Sequence, residues 1–325
     1  MNNIRGGDNL ENNIWLIKAE ESLSKLEYPN SDNYELPSSN STFADGANYR
    51  VEISGVEKPS TLETLIEQKE ISGVNVHRVI ISLMGSTWLT GEDLTRIAQL
   101  SKEANLEVIM APGQRPLWEI GKQSSSPEGC LSGLRLRGQD SVKFYLADIF
   151  RCVEKGIRGF LVWDEGVLKI LNELRQMGEL PKETIFKVSI LAGHGNAAGA
   201  KLLHELGANS FNPVNDVTTP MLAGIRQYCD LPMDIHVVNF DSFGGQTRFW
   251  EMPEIIRVAS PCYIKFEPGP SIAQMARPWL SEESLSYSIR QKVRQVKTVV
   301  EIIEGKYPNL KQSEQNCEDL VVANP

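Results

Sequence analysis

Between residues 48 and 305 the apolar positions fall into short dense runs separated by longer stretches with helical spacing. The runs YRVEISG, HRVIISLMG, LEVIMAPG, GFLVWD, FKVSILAG, SFNPV, MDIHVVNF and CYIKFEPG have the apolar, β-branched and aromatic character of strands. A helical pattern follows each, as in TGEDLTRIAQLSKEAN, QDSVKFYLADIFRCVEKG and GNAAGAKLLHELG, with Thr90 and Asn196 placed to cap two of them. Eight strand–helix repeats predict an α/β fold of the (β/α)8 TIM-barrel type. A doubly wound open sheet also alternates, and here count and length favour the barrel.

The barrel domain is expected at 48–305. Residues 1–47 read as an N-terminal arm or linker: NIWLIKAEESLSKLEY suits a short amphipathic helix, whereas PNSDNYELPSSNSTFADGAN has no period. The C-terminal tail, 306–325, has the same character and is expected to be disordered.

Strand alternation sharpens the picture. In CYIKFEPG, Ile264 and Phe266 suit the helix-facing side, which turns Tyr263, Lys265 and Glu267 inward, Glu267 nearest the C-terminal mouth. The same parity places Glu52 and Ser54 inside on the first strand, and Lys187 and Ser189 inside on the fifth. Buried charge needs a partner or solvent, so Glu52, Lys265 and Glu267 form either a structural ion pair where the barrel closes or part of a site.

Composition narrows the partners. The chain of 325 residues is 41% hydrophobic, enough for a large core, and carries a net charge of −9, which argues against nucleic acid. It shows no membrane-length apolar run and no signal-peptide core, so a cytoplasmic protein without membrane contact is expected. Five scattered cysteines (Cys130, Cys152, Cys229, Cys262 and Cys317) fit neither a disulfide framework nor a zinc site.

The segments GIRGFLVWDEGVLKILNELRQMGELP, FKVSIL, HELGANSFNPVNDVTTPMLAGIR, FDSFGGQTRFWEMPEIIRVASPCYIKF and GLRLRGQD resemble proteins of the peptidase U32-like group, in a divergent bacterial branch. The resemblance spans roughly residues 75–300 and implies a TIM barrel. Better-known members are linked to collagen-type proteolysis, or to iron–sulfur-dependent hydroxylation of RNA or quinone precursors. The latter need clustered cysteine ligands. The gaps between successive cysteines here are 22, 77, 33 and 55, so no iron–sulfur cluster is expected.

In such barrels the loops at the C-terminal strand ends build the site. After the third strand, Pro112 to Gly138 runs long and carries Arg115, Arg135, Arg137 and Trp118, the makings of a lid over a carboxylate or phosphate, or else a solvated loop. Asp164 and Glu165 end the fourth strand as acid–base groups, as ligands for a divalent metal, or as caps of the next helix. His194, between Gly193 and Gly195, is a base, a metal ligand or a structural histidine. His77 and His204 read as non-catalytic, and His236 as a packed core residue. Asn212 and Asp216 suit ligand contacts, with Thr218 or Thr219 as a helix cap.

In NFDSFGGQTRFWEMPE, Gly244 and Gly245 could present backbone amides to an anion, with Arg248 supplying charge. The alternative is a tight turn with Arg248 paired to Asp241 or Glu251.

Three functions follow. The first is an enzyme on a small anionic, amino-acid-derived or peptide-derived substrate, with Glu52, Asp164, Lys265 and Glu267 as chemical groups. The second is a peptidase, although no GxSxG or HExxH motif is present. The third is a non-catalytic binding or partner subunit. Glu267 beside Lys265 favours a charged lysine that binds electrostatically over one that forms imines.

Overall fold

The computed structural model describes residues 13–81, 83, 85–113, 135–271 and 279–325. Eight parallel strands close into a barrel in chain order: β1 (Tyr49–Val56), β2 (Arg78–Ile81), β3 (Glu107–Met110), β4 (Gly159–Val162), β5 (Ile185–Val188), β6 (Ser210–Phe211), β7 (Met233–Val238) and β8 (Cys262–Phe266). β8 returns to β1 with Glu52 opposite Lys265 and Ile53 opposite Phe266, which seals the sheet. The chain is a (β/α)8 TIM barrel.

Among the described residues there are nine α-helices: α1 (Ile14–Lys25), α2 (Pro59–Ser72), α3 (Gly91–Glu103), α4 (Gly138–Glu154), α5 (Glu165–Met177), α6 (Ala197–Glu205), α7 (Thr219–Tyr228), α8 (Met252–Ala259) and α9 (Glu282–Lys306). Their starts are chemically marked. Thr90 and Asp93 form a reciprocal capping box on α3, and Asn196 accepts from the Gly199 amide to open α6. Outward strand residues such as Val51, Ile53, Val79, Ile264 and Phe266 are fully buried against the helices. Since burying such a side chain contributes roughly 1.5–3 kcal/mol, this layer between sheet and helices is the hydrophobic core.

Both flanking segments make contacts with the barrel. The helix in the arm forms as α1, capped by Asn13, but buries none of its residues. The aperiodic stretch after it is strapped along α7 and α8. The Asn33 amide donates to the Pro220 carbonyl at 3.1 Å, and Arg257 donates to the Leu36 carbonyl at 2.8 Å. Phe43 then packs edge-on against Tyr263, with ring centroids 5.3 Å apart.

The tail, expected to be disordered, instead covers the N-terminal end of the barrel. Ser313 donates its amide to the Tyr49 carbonyl at 3.1 Å, accepts from Arg50 Nε at its hydroxyl at 2.9 Å, and accepts from His77 Nε2 at its carbonyl at 2.9 Å. Asp319 pairs with the Arg50 guanidinium and the Val321 amide reaches Glu107 at 3.3 Å. The cause is electrostatic: Arg50, His77 and Glu107 sit 0–3% exposed at this end, and buried polar groups require partners. The tail supplies them through backbone and short polar side chains, which carry no hydrophobic period.

Limited proteolysis of the full chain is expected to remove residues before the strap and to leave the C-terminus intact through Pro325. Cleavage within 307–325 while the barrel persists, read by mass spectrometry, would contradict the plug.

Candidate active site

The inward strand positions do not hold only the branched apolar residues usual for a TIM barrel. They hold an ionic network. Arg78 on β2 lies at its centre, with Nη1 at 2.9 Å from Asp234, 3.0 Å from Ser210 Oγ and 3.5 Å from Glu52. Its Nε contacts Glu107, and its guanidinium stacks 3.5 Å above the Tyr263 ring. Lys187 on β5 bridges Asp234 at 2.7 Å and Glu52 at 3.0 Å. All these groups are buried. Together they form the lower and middle layers of the interior.

The upper layer, nearer the C-terminal mouth, comes from β6 to β8. His236 accepts at Nδ1 from the Asn212 amide at 3.2 Å, which leaves Nε2–H to donate to Glu267 at 2.8 Å. Asn212 is itself anchored by donating to the Asp234 carbonyl at 2.6 Å. Lys265 differs from the other interior cations. Its Nζ lies 3.3 Å from Asn212 Oδ1, 3.4 Å from Glu267 and 3.6 Å from Glu52. Three acceptors surround this ammonium and none holds it closely. Among the described residues, Glu52 Oε1, Ser54 Oγ at the C-terminal end of β1 and Asn239 Nδ2 just after β7 are buried side-chain atoms without a hydrogen-bond partner.

Burial and neighbours set the charges. Burial would lower Lys265, but Glu267, Glu52 and Asp234 more than offset it and raise its pKa. Burial, helped by Lys265 and Arg78, pushes Lys187 down despite Asp234 and Glu52. Burial would raise the Glu267 carboxyl, yet Lys265 and the His236 hydrogen bond carry it down to about 2. Burial, reinforced by Lys265, lowers His236 to about 4, so its imidazole is neutral. The layer therefore holds a charged lysine, an ionised carboxylate and a neutral histidine of fixed tautomer.

Other expected site residues have structural duties. Asp164 caps α5: one carboxylate oxygen accepts from the Val167 amide at 3.1 Å, the other from the Leu136 amide at 3.0 Å. Glu165 and His194 do come together, at 2.7 Å, but Arg135 lies 2.8 Å from the same carboxylate oxygen and opposes a metal cation there. Asp216 is exposed in the turn after β6. Arg115 lies outside the described residues, as does Trp118.

The glycine loop after β7 is a correction. Gly244 and Gly245 adopt φ of 98° and 59°, and their amides donate to the Asp241 and Phe240 carbonyls at 3.1 and 2.9 Å. Neither amide is left to bind an anion. Arg248 is 5% exposed, with Nε on Glu251 at 3.1 Å and Nη2 on the Val217 carbonyl at 3.1 Å. It is a buried strut between two loops. The run needed its glycines for a left-handed turn.

Sequence reasoning passed over Arg78 and Asp234 and read His236 as core. The signal existed: in MDIHVVNF, Asp234 and His236 alternate with apolar neighbours just as Lys265 and Glu267 do in CYIKFE.

Acid should unfold the protein in two overlapping steps. Burial lowers His77 as well as His236 to about 4, from 6.5. The unfolded chain takes up these protons first, so the stability present above pH ~6.5 is lost as pH falls toward ~4, on the order of 3 kcal/mol per histidine. The Glu267 contribution, present above its unfolded value near 4.5, is lost as pH falls toward about 2. Urea midpoints should drop steeply between pH 6.5 and 4. A flat profile there would show that the two imidazoles are not buried neutral.

No family model and no curated protein matches this chain. Solved structures similar to it include the YdjI aldolase from Escherichia coli K12, at 10% identity, covering 80% of this chain and 93% of that one with a TM-score of 0.48. D-psicose 3-epimerase from Clostridium cellulolyticum H10 matches at 10% identity over 77% and 99% of the two chains, TM-score 0.46. The U32 peptidase Mk0906 matches at 15% identity over 74% and 100%, TM-score 0.42. The U32 likeness is one weak likeness among several to proteins of different kinds.

Proposed function

We propose that this chain is an enzyme acting on a small molecule that bears a carboxylate or carbonyl group, bound at the C-terminal mouth of the barrel. The observation that carries this reading is Lys265: a charged, buried ammonium at 3.3–3.6 Å from three acceptors, in a barrel whose Ser54 Oγ and Asn239 Nδ2 are buried and unpartnered among the described residues. An oxygen of the ligand completes the lysine's hydrogen bonding, and the unpartnered groups orient the rest of the molecule. Glu267 and His236 then fix Lys265 in place and keep it charged. The anionic part of the substrate rests on Lys265 rather than on the glycine loop.

His236 spends both ring nitrogens on Asn212 and Glu267, so it activates no hydroxyl or thiol. That favours binding and proton transfer over the hydrolysis associated with U32-like proteins.

The test is thermal-shift and calorimetric screening of the full chain against small carboxylates, 2-oxo acids, amino acids and inorganic phosphate. Lys265→Met alone would strand buried carboxylates, so the comparison is the double variant Lys265→Met/Glu267→Gln, which removes one charge of each sign. At least one carboxylate or carbonyl compound should stabilise the native chain. The double variant should fold and bind it roughly ten- to hundred-fold more weakly, the value of a charge-assisted hydrogen bond. Equal binding by both proteins, or no binder among the carboxylates and carbonyls, would contradict the proposal.

A further inference from the structure

Resting on that reading, we infer that Lys292 is the proton-accepting group of the mouth, working beside Lys265, which holds the oxygen. Lys292 belongs to α9, outside the barrel, yet is 1% exposed, and its Nζ donates to the Ser54 carbonyl on β1 at 2.6 Å. The β1–β8 ladder explains how it gets there. Cys262 N donates to the Asn48 carbonyl, and the same alternation would bring residue 268 to the Ser54 carbonyl. Residue 268 is proline and has no N–H. The Lys292 amine takes that place, in the seam between β1 and β8 at their C-terminal ends.

Gly55 makes the room. A Cβ at Gly55 would lie 2.7 Å from Lys292 Nζ, and its φ of +74° already disfavours a side chain.

A carbonyl could be satisfied by a neutral donor. A lysine puts a titratable amine where Lys265 of β8, Glu267 just after that strand and Glu57 just after β1 act on its charge. Burial, only partly offset by Glu267 and Glu57, brings it to about 8. Glu267 at about 2 and His236 at about 4 are too acidic to accept a proton efficiently near neutrality. Lys292 has the matching basicity.

The chemistry balances within the site. A proton on the ligand carbon next to the carbonyl or carboxyl group passes to the Nζ lone pair. The C–H electron pair moves onto the oxygen held by Lys265, giving an enolate and a Lys292 ammonium. The ammonium then returns the proton to the same or a neighbouring atom. The substrate class is thus a carbonyl or carboxyl compound with an acidic C–H.

The test uses reductive alkylation of the full chain with formaldehyde or glyoxylate and cyanoborohydride, at pH values from 7 to 9, with peptide mass spectrometry. A mouth-facing amine near 8 should be alkylated by formaldehyde roughly tenfold or more faster than exposed lysines, because far more of it is neutral. Its rate should level off above pH 8, while theirs keep rising. A lysine sealed into the seam as a strut would react last, and that result would overturn the inference. Lys292→Arg keeps the charge and a donor for Ser54 and should stay folded; it identifies the fast peptide by its loss. Preference for glyoxylate over formaldehyde supports the carboxylate anchor at Lys265 as well. Fast formaldehyde labelling without that preference upholds Lys292 and tells against the anchor alone.

Discussion

Arg78 sits inside the barrel among Glu52, Glu107 and Asp234, with the Tyr263 ring beneath it. A guanidinium there cannot escape to solvent, and three carboxylates around one cation need a second, which Lys187 provides. This mutual compensation dictates what the neighbouring layers hold. Below it, Arg50 and His77 are satisfied by the tail, so the C-terminal residues belong to the barrel's electrostatics as much as to its packing. Above it, one Glu52 oxygen is held by Lys187 and the other faces Lys265 at 3.6 Å without a hydrogen bond. The ion pairs of Lys187 are shorter than those of Lys265, although among the described residues Lys187 Nζ, like Glu52 Oε1, has no aligned hydrogen bond.

That asymmetry bears on function. Buried ion pairs are weak devices for stability, since desolvation offsets much of their attraction, and apolar residues of similar volume often serve as well. A barrel selected for stability alone would fill its interior with branched side chains. Here the close contacts lie around Arg78 and Lys187, while the lysine nearest the mouth is the loosely held one. The closely paired half fixes the position and charge of the loosely paired half, the preorganisation that an electrostatic site needs.

Much of this was legible. Eight strand-like runs gave the barrel, and parity in CYIKFE placed Lys265 and Glu267 inside, with Glu52 opposite. The same rule applied to HRVII and MDIHVV yields Arg78, Asp234 and His236, but a histidine or acid between apolar neighbours also fits ordinary packing. Lys292 was legible as a charge within the buried stripe Leu285, Ile289, Val296, Val299 and Ile303. The glycine loop was not decidable from sequence: free amides and closed amides use the same residues, and only the hydrogen bonds to Asp241 and Phe240 separate them. The tail was hidden for another reason, since a segment that binds through its backbone has no period to read.

The most direct test of the central claim, that the upper layer is an unfinished binding site above a more closely paired ionic cluster, is a high-resolution crystal structure of the chain soaked with a small 2-oxo acid. The account predicts a ligand oxygen at about 2.8–3.0 Å from Lys265 Nζ, contacts to Ser54 or Asn239, and an unchanged cluster around Arg78. A structure in which Lys265 closes tightly onto Glu52 and Glu267, with the ligand absent from the mouth or bound elsewhere, would contradict it.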